Sequence, residues 1–160
     1  TRGIPSADIA ELCAGNYIQN GMTIIITGPT GTGKSYLACA LGERACREGV
    51  KVIYFTMNML IETLKLVHLE RRETNFFRKL SSHDLLIIDD LGTEFHSQFS
   101  VSQLYNIFNS RMLSNKPVII NTNLTIRDLQ EYYTDRFVSR ICGNARQLDF
   151  LGRDIRIRRK

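Results

Sequence analysis

Eight consecutive residues, Gly28-Pro29-Thr30-Gly31-Thr32-Gly33-Lys34-Ser35, restrict what this 160-residue chain can fold into more than any other stretch. They follow an apolar run, Thr23-Ile24-Ile25-Ile26-Thr27, that reads as a buried strand, and they precede a helical pattern beginning near Lys34. Strand, glycine-rich loop and helix in that order give the G-x-x-x-x-G-K-[ST] pattern its physical meaning; a chance glycine turn lacks both flanks. Glycines let successive backbone N–H groups turn inward as an anion nest, and the helix start adds the positive end of its dipole. Lys34 brings a mobile positive charge to the β- and γ-phosphates, and the Ser35 hydroxyl is a ligand for Mg²⁺. With Tyr36 directly after, residues 28–36 are the expected seat of a nucleoside triphosphate.

The remainder of the chain fits one domain around that loop. Its length suffices for a real core, and 43% hydrophobic with 23% charged residues is ordinary for a globular protein. No apolar run approaches the roughly 20 residues of a membrane span, and no signal peptide is visible, so a cytoplasmic protein without membrane contact is expected. Cys13, Cys39, Cys46 and Cys142 form no C-x-x-C pair, which argues for reduced thiols rather than zinc. Cys39 and Cys46, seven apart on one helix, are expected to pack in the core. The net charge of +5 permits nucleic-acid contact without requiring it, and the excess gathers at Arg153, Arg156, Arg158, Arg159 and Lys160.

Residues 1–22 read as a helical approach segment and 23–160 as the nucleotide-binding domain. Because the chain opens on Thr1, a preceding partner-binding module is expected to be missing. Helices are predicted over about 34–48, 57–70, around Phe76, Phe77 and Leu80, over 100–113 (capped by Ser100 with Gln103), after Thr125, and over 135–141. Between them lie apolar runs at Val50–Phe55, Leu85–Ile88, Val118–Ile120 and Gln147–Phe150. Strands alternating with helices give an α/β fold, a five-stranded parallel sheet with helices on both faces. Val50–Phe55, nearly all apolar, is expected to be covered on both sides.

Ligands of such sheets sit at the carboxyl ends of the strands. There the third strand ends in Asp89 and Asp90 after four aliphatics, suiting Asp89 to hold Mg²⁺ through water and Asp90 to orient or deprotonate the attacking water. The fourth ends in Asn121 and Asn123, amides able to sense a γ-phosphate or simply to serve a turn.

GPTGTGKSYLACALGERACREG, LLIIDDLGTEF, VIINTNL and DRFVSRICGN, in this order, resemble the AAA+ ATPases of the bacterial helicase-loader group (DnaC/DnaI type). The ATPases that assist insertion-sequence transposases (IstB type) share the first half of the pattern. The resemblance runs from about Tyr17 to the end. It implies a three-layer P-loop NTPase (AAA+/RecA-like) with little or no C-terminal lid, and Mg²⁺-dependent ATP hydrolysis in DNA replication. Carried over by position, Asn123 resembles sensor 1, with Asn121 as second choice. Arg140 resembles an arginine finger reaching a neighbour's γ-phosphate, with Arg136 as the alternative, and Arg156 resembles the sensor 2 arginine. Asp90 stands where most AAA+ proteins have glutamate, which implies slow turnover.

Partners implied are a replicative helicase, single-stranded DNA inside a spiral of subunits, and self-association with ATP at each junction. Lys65, His68, Arg71, Arg72, Arg78 and Lys79 are the DNA-contact candidates, while the spacing of Phe76 and Phe77 suits core packing better than base stacking. The alternatives are an ATPase subunit assisting a transposase, a slow-hydrolysing nucleotide switch, and a small-molecule kinase, for which neither acceptor pocket nor basic lid is evident.

Overall fold

The computed structural model describes residues 3–93 and 97–152. In chain order these hold α1 (Ser6–Cys13), α2 (Asn16–Gln19), β1 (Thr23–Thr27), α3 (Lys34–Arg47), β2 (Val52–Thr56), α4 (Met57–Leu69), α5 (Glu73–Ser82), β3 (Leu85–Leu91), α6 (Gln98–Leu113), β4 (Val118–Thr122), α7 (Ile126–Tyr132), α8 (Asp135–Cys142) and β5 (Ala145–Asp149). The strands make one parallel sheet in the order β2-β3-β4-β1-β5. Since β1, β3 and β4 are interior strands, buried on both faces, their sequences are continuous aliphatic runs rather than alternating ones.

Period-two alternation divides those aliphatics between two cores. Ile24, Ile26, Ile87 and Ile119 meet Ala38, Leu41 and Ala45 of α3, with Leu12 and Tyr17 from α1 and α2 joining them. Ile25, Leu86, Ile88 and Ile120 meet Leu60, Leu64, Phe76, Leu104, Phe108, Leu129 and Phe137 from α4 to α8. Gly42 lets α3 approach closely, since a Cβ there would stand 2.6 Å from Ile87 Cδ1. That approach brings the start of α3 beside the end of β3.

Several expectations change here. β2 is an edge strand, and Tyr54 within it is 40% exposed rather than covered. Cys39 and Cys46 do share a face, but it is the solvent face; the buried stripe Ala38-Leu41-Gly42-Ala45 lies one residue, about 100°, around the helix. α6 starts earlier than predicted, because Ser97 and Ser100 form a reciprocal capping box. Its buried positions include Ile107 and Arg111, whereas Val101, Tyr105 and Met112 are only half-buried. Phe76 is core, packed edge-on to Phe55 at 6.1 Å. No helix among the described residues is long and apolar enough to cross a membrane.

Candidate functional site

The loop after β1 needs its glycines for space as well as for φ. Gly28, Gly31 and Gly33 have φ of 141°, 75° and 103°, and a Cβ on Gly28 would lie 2.5 Å from the Phe150 carbonyl oxygen. Phe150 is held there by its N–H, which donates to Thr27 O at 2.8 Å, while Thr27 Oγ1 donates to Asp149. Within the loop, Thr32 Oγ1 donates to Pro29 O at 2.8 Å. Lys34, only 5% exposed, donates from Nζ to Gly28 O, Pro29 O and Asn123 Oδ1 at 2.7, 2.8 and 2.6 Å. The ammonium group thus ties the loop to the end of β4.

Ser35, the second residue of α3, donates its hydroxyl to Asp89 Oδ1 at 2.9 Å. Asp89 is 5% exposed, and its other oxygen accepts a 2.6 Å hydrogen bond from the Tyr54 hydroxyl. Burial first, then that bond and the carboxylate's charge, raise the Tyr54 pKa well above the usual phenol range. Beyond Asp89 the β3–β4 register shifts between Ile88 and Leu91. Asp90 sits in this irregularity with φ of 58°, and its N–H donates to Asn121 Oδ1 at 2.8 Å. The left-handed residue turns the Asp90 side chain off the sheet. It lines a cavity of about 410 Å³ with Thr30, Gly31, Gly33, Lys34, Ser35, Tyr36, Thr93 and Asn123.

The predicted residues thus fall into three groups. Residues 28–35, Tyr36, Asp89, Asp90 and Asn123 converge on the sheet's crest. Asn121 does not reach the cavity: it is fully buried and supports the Asp90 peptide from behind. Arg136 and Arg140, on α8, also stay away from it. Arg136 lies over the Tyr105 ring at 5.1 Å, and Arg140 Nε donates to Asn109 Oδ1 at 3.2 Å. Arg156 is outside the described residues, as are Arg153, Arg158, Arg159 and Lys160. Of the basic candidates on α4 and α5, His68 is paired with Glu73 at 2.7 Å and Arg72 with Glu70 at 3.3 Å, while Lys65, Arg71 and Lys79 are exposed.

Two contributors escaped sequence reasoning, Tyr54 and Thr93. The only local hint of Tyr54 is a phenol hydroxyl in a largely apolar stretch, and a strand register has to be known before it points anywhere.

For a divalent cation, Ser35 Oγ, which lines the cavity, and Asp89 Oδ1, bonded to it, supply adjacent hard oxygens. Mg²⁺ takes such a small donor set when water and phosphate complete its shell.

The family model described as IstB-like ATP binding protein matches residues 1–160. A protein of Sinorhizobium fredii (strain NBRC 101917 / NGR234) named as an insertion sequence ATP-binding protein, y4pL, is 32% identical over 160 residues, 97% of this chain and 65% of its own length. The replicative helicase loader DnaC of Buchnera aphidicola subsp. Baizongia pistaciae is 29% identical over 141 residues, 86% of this chain and 57% of that protein. The crystal structure of the DnaC helicase loader matches with a TM-score of 0.82 at 25% identity, covering 91% of this chain and 87% of that one. The replication initiator DnaA bound to AMPPCP and single-stranded DNA matches with a TM-score of 0.80 at 25% identity, covering 91% and 46%. The chain spans between about half and two-thirds of the length of the first curated relatives it matches. Its five-stranded sheet, phosphate loop and acidic strand end are those of an AAA+ P-loop protein, and the chain belongs to the family of IstB-like ATP-binding proteins.

Proposed function

We propose that this domain binds and hydrolyses ATP with Mg²⁺ and acts on DNA as the ATPase subunit of an insertion-sequence transposition system. The observation that carries the chemistry is that Lys34, Ser35, Asp90 and Asn123 line one cavity, with Asp89 hydrogen-bonded to Ser35. The loop amides and Lys34 bind the β- and γ-phosphates; Ser35 and Asp89 would hold the metal, which when bound would supply positive charge opposite the transferred phosphoryl group. Asp90 accepts the proton of the attacking water, and Asn123, already bonded to Lys34, aligns the γ-phosphate. Arg140, with Arg136 as its alternative, serves the cavity of a neighbouring subunit, because within one subunit neither arginine of α8 lines the cavity. The transposition role is supported by the whole-chain family match and by the y4pL likeness.

A second reading, delivery of a replicative helicase onto DNA, is favoured by the match to 87% of the DnaC loader structure. Lys65, Arg71 and Lys79 are the proposed phosphate contacts on single-stranded DNA in either case.

The test uses the full-length protein. Phosphate release should depend on Mg²⁺ and rise with DNA, and Lys34→Ala should remove it along with ATP binding; normal turnover in that variant would reject the site. Recovery of the transposase rather than the helicase in ATP-dependent co-purification supports the first role, and the reverse supports the second.

A further inference from the structure

Both oxygens of the Asp89 carboxylate are committed to side chains of other elements. Oδ1 accepts from Ser35 at the start of α3, and Oδ2 accepts from the hydroxyl of Tyr54 in β2. The sheet register explains how Tyr54 gets there. Tyr54 is paired with Ile87, two residues before Asp89, so both side chains leave the same face of the sheet. The phenol ring spans one rung along β3 and ends 2.6 Å from the carboxylate. β2 is the edge of the sheet and Tyr54 is 40% exposed. Packing alone therefore gives no reason for a tyrosine there, and a phenylalanine would occupy the same space.

We propose that Tyr54 is a positioning residue for the metal site: its hydroxyl fixes the rotation of the Asp89 carboxylate so that Oδ1 stays turned toward Ser35 and the cation. A carboxylate held at both oxygens cannot turn about its Cβ–Cγ bond without losing one hydrogen bond. One held only through Ser35 loses that hold when Ser35 itself turns to the metal. Outer partners of this kind orient metal ligands and contribute about ten- to a hundredfold to metal affinity. The proposal rests on the nucleotide-site reading above and adds a residue that touches neither nucleotide nor cation.

The experiment measures binding, not turnover. Fluorescence of N-methylanthraniloyl-ATP is followed in EDTA and across a MgCl₂ series for wild type and Tyr54→Phe, alongside thermal melting of both. The expected result is equal binding in EDTA, unchanged melting, and a Mg²⁺ midpoint about tenfold higher for the variant, the low end of outer-partner effects. An unshifted midpoint, or a loss of affinity equal with and without Mg²⁺, overturns the role of Tyr54 while leaving the nucleotide site standing. Early melting of Tyr54→Phe overturns it too, since the hydroxyl would then be holding the strand. If wild type binds no analogue at any Mg²⁺ concentration, the site reading itself fails and Tyr54 goes with it.

Discussion

Two asparagines two residues apart at the end of β4 do different work. Asn123 faces the cavity and holds Lys34; Asn121, wholly buried, accepts the Asp90 N–H. Asn121→Ala should lower stability by about 1–3 kcal/mol, the penalty for an orphaned buried donor, and should reduce turnover while sparing ATP binding. Asn123→Ala should leave the melting curve in place and reduce turnover alone. Denaturant titration beside a phosphate-release assay separates the two, and equal stability losses would reject the division of labour. The phosphate loop and the Asp89-Asp90 pair were legible in the sequence because each is one contiguous pattern on a recognisable strand. Asn123 was set ahead of Asn121 only by the resemblance, and that Tyr54 reaches Asp89 depends on the register between strands far apart in the chain, about which a single sequence is silent.

At the scale of elements, the strands and most helices followed from apolar runs and caps, and the misses have local causes. Ser97 and Ser100 cap each other, so the helix begins before the residue that alone looked like its cap. Arg111 sits on α6 where helical spacing would place an apolar residue. It is 2% exposed and donates to the carbonyl oxygens of Leu80, His83, Asp84 and Pro117 at 2.7–3.0 Å. It thereby stitches the α5–β3 turn to the entry of β4. Burial lowers its pKa to about 10, which still leaves it charged at neutral pH. Arg111→Met keeps much of the volume but strands several buried carbonyls, so unfolding by urea should show a loss of more than about 3 kcal/mol. A loss under about 1 kcal/mol would mean that water replaces the guanidinium with ease.

For the molecule as a whole, the cavity is furnished on one side by the loop and on the other by two strand ends, and α8 with its arginines turns elsewhere. If Arg140 serves a neighbour, Arg140→Ala should bind ATP normally yet turn over about a thousandfold more slowly, the low end of what an arginine finger supplied in trans contributes. Mixing it with Lys34→Ala should restore part of the activity, because junctions pairing an intact loop with an intact arginine form only in the mixture. Steady-state ATPase across mixing ratios checks this, and a strictly additive response would rule out sharing. The sheet order carries a different consequence. β1 lies between β4 and β5, and Gly28 rests against Phe150. A growing chain on the ribosome therefore displays the glycine loop long before either flanking strand exists: Asn123, which holds Lys34, emerges first, and Phe150, against which Gly28 rests, last. The loop thus acquires its supports in two late steps, so a chain interrupted in its second half carries the whole motif without all of the structure that braces it.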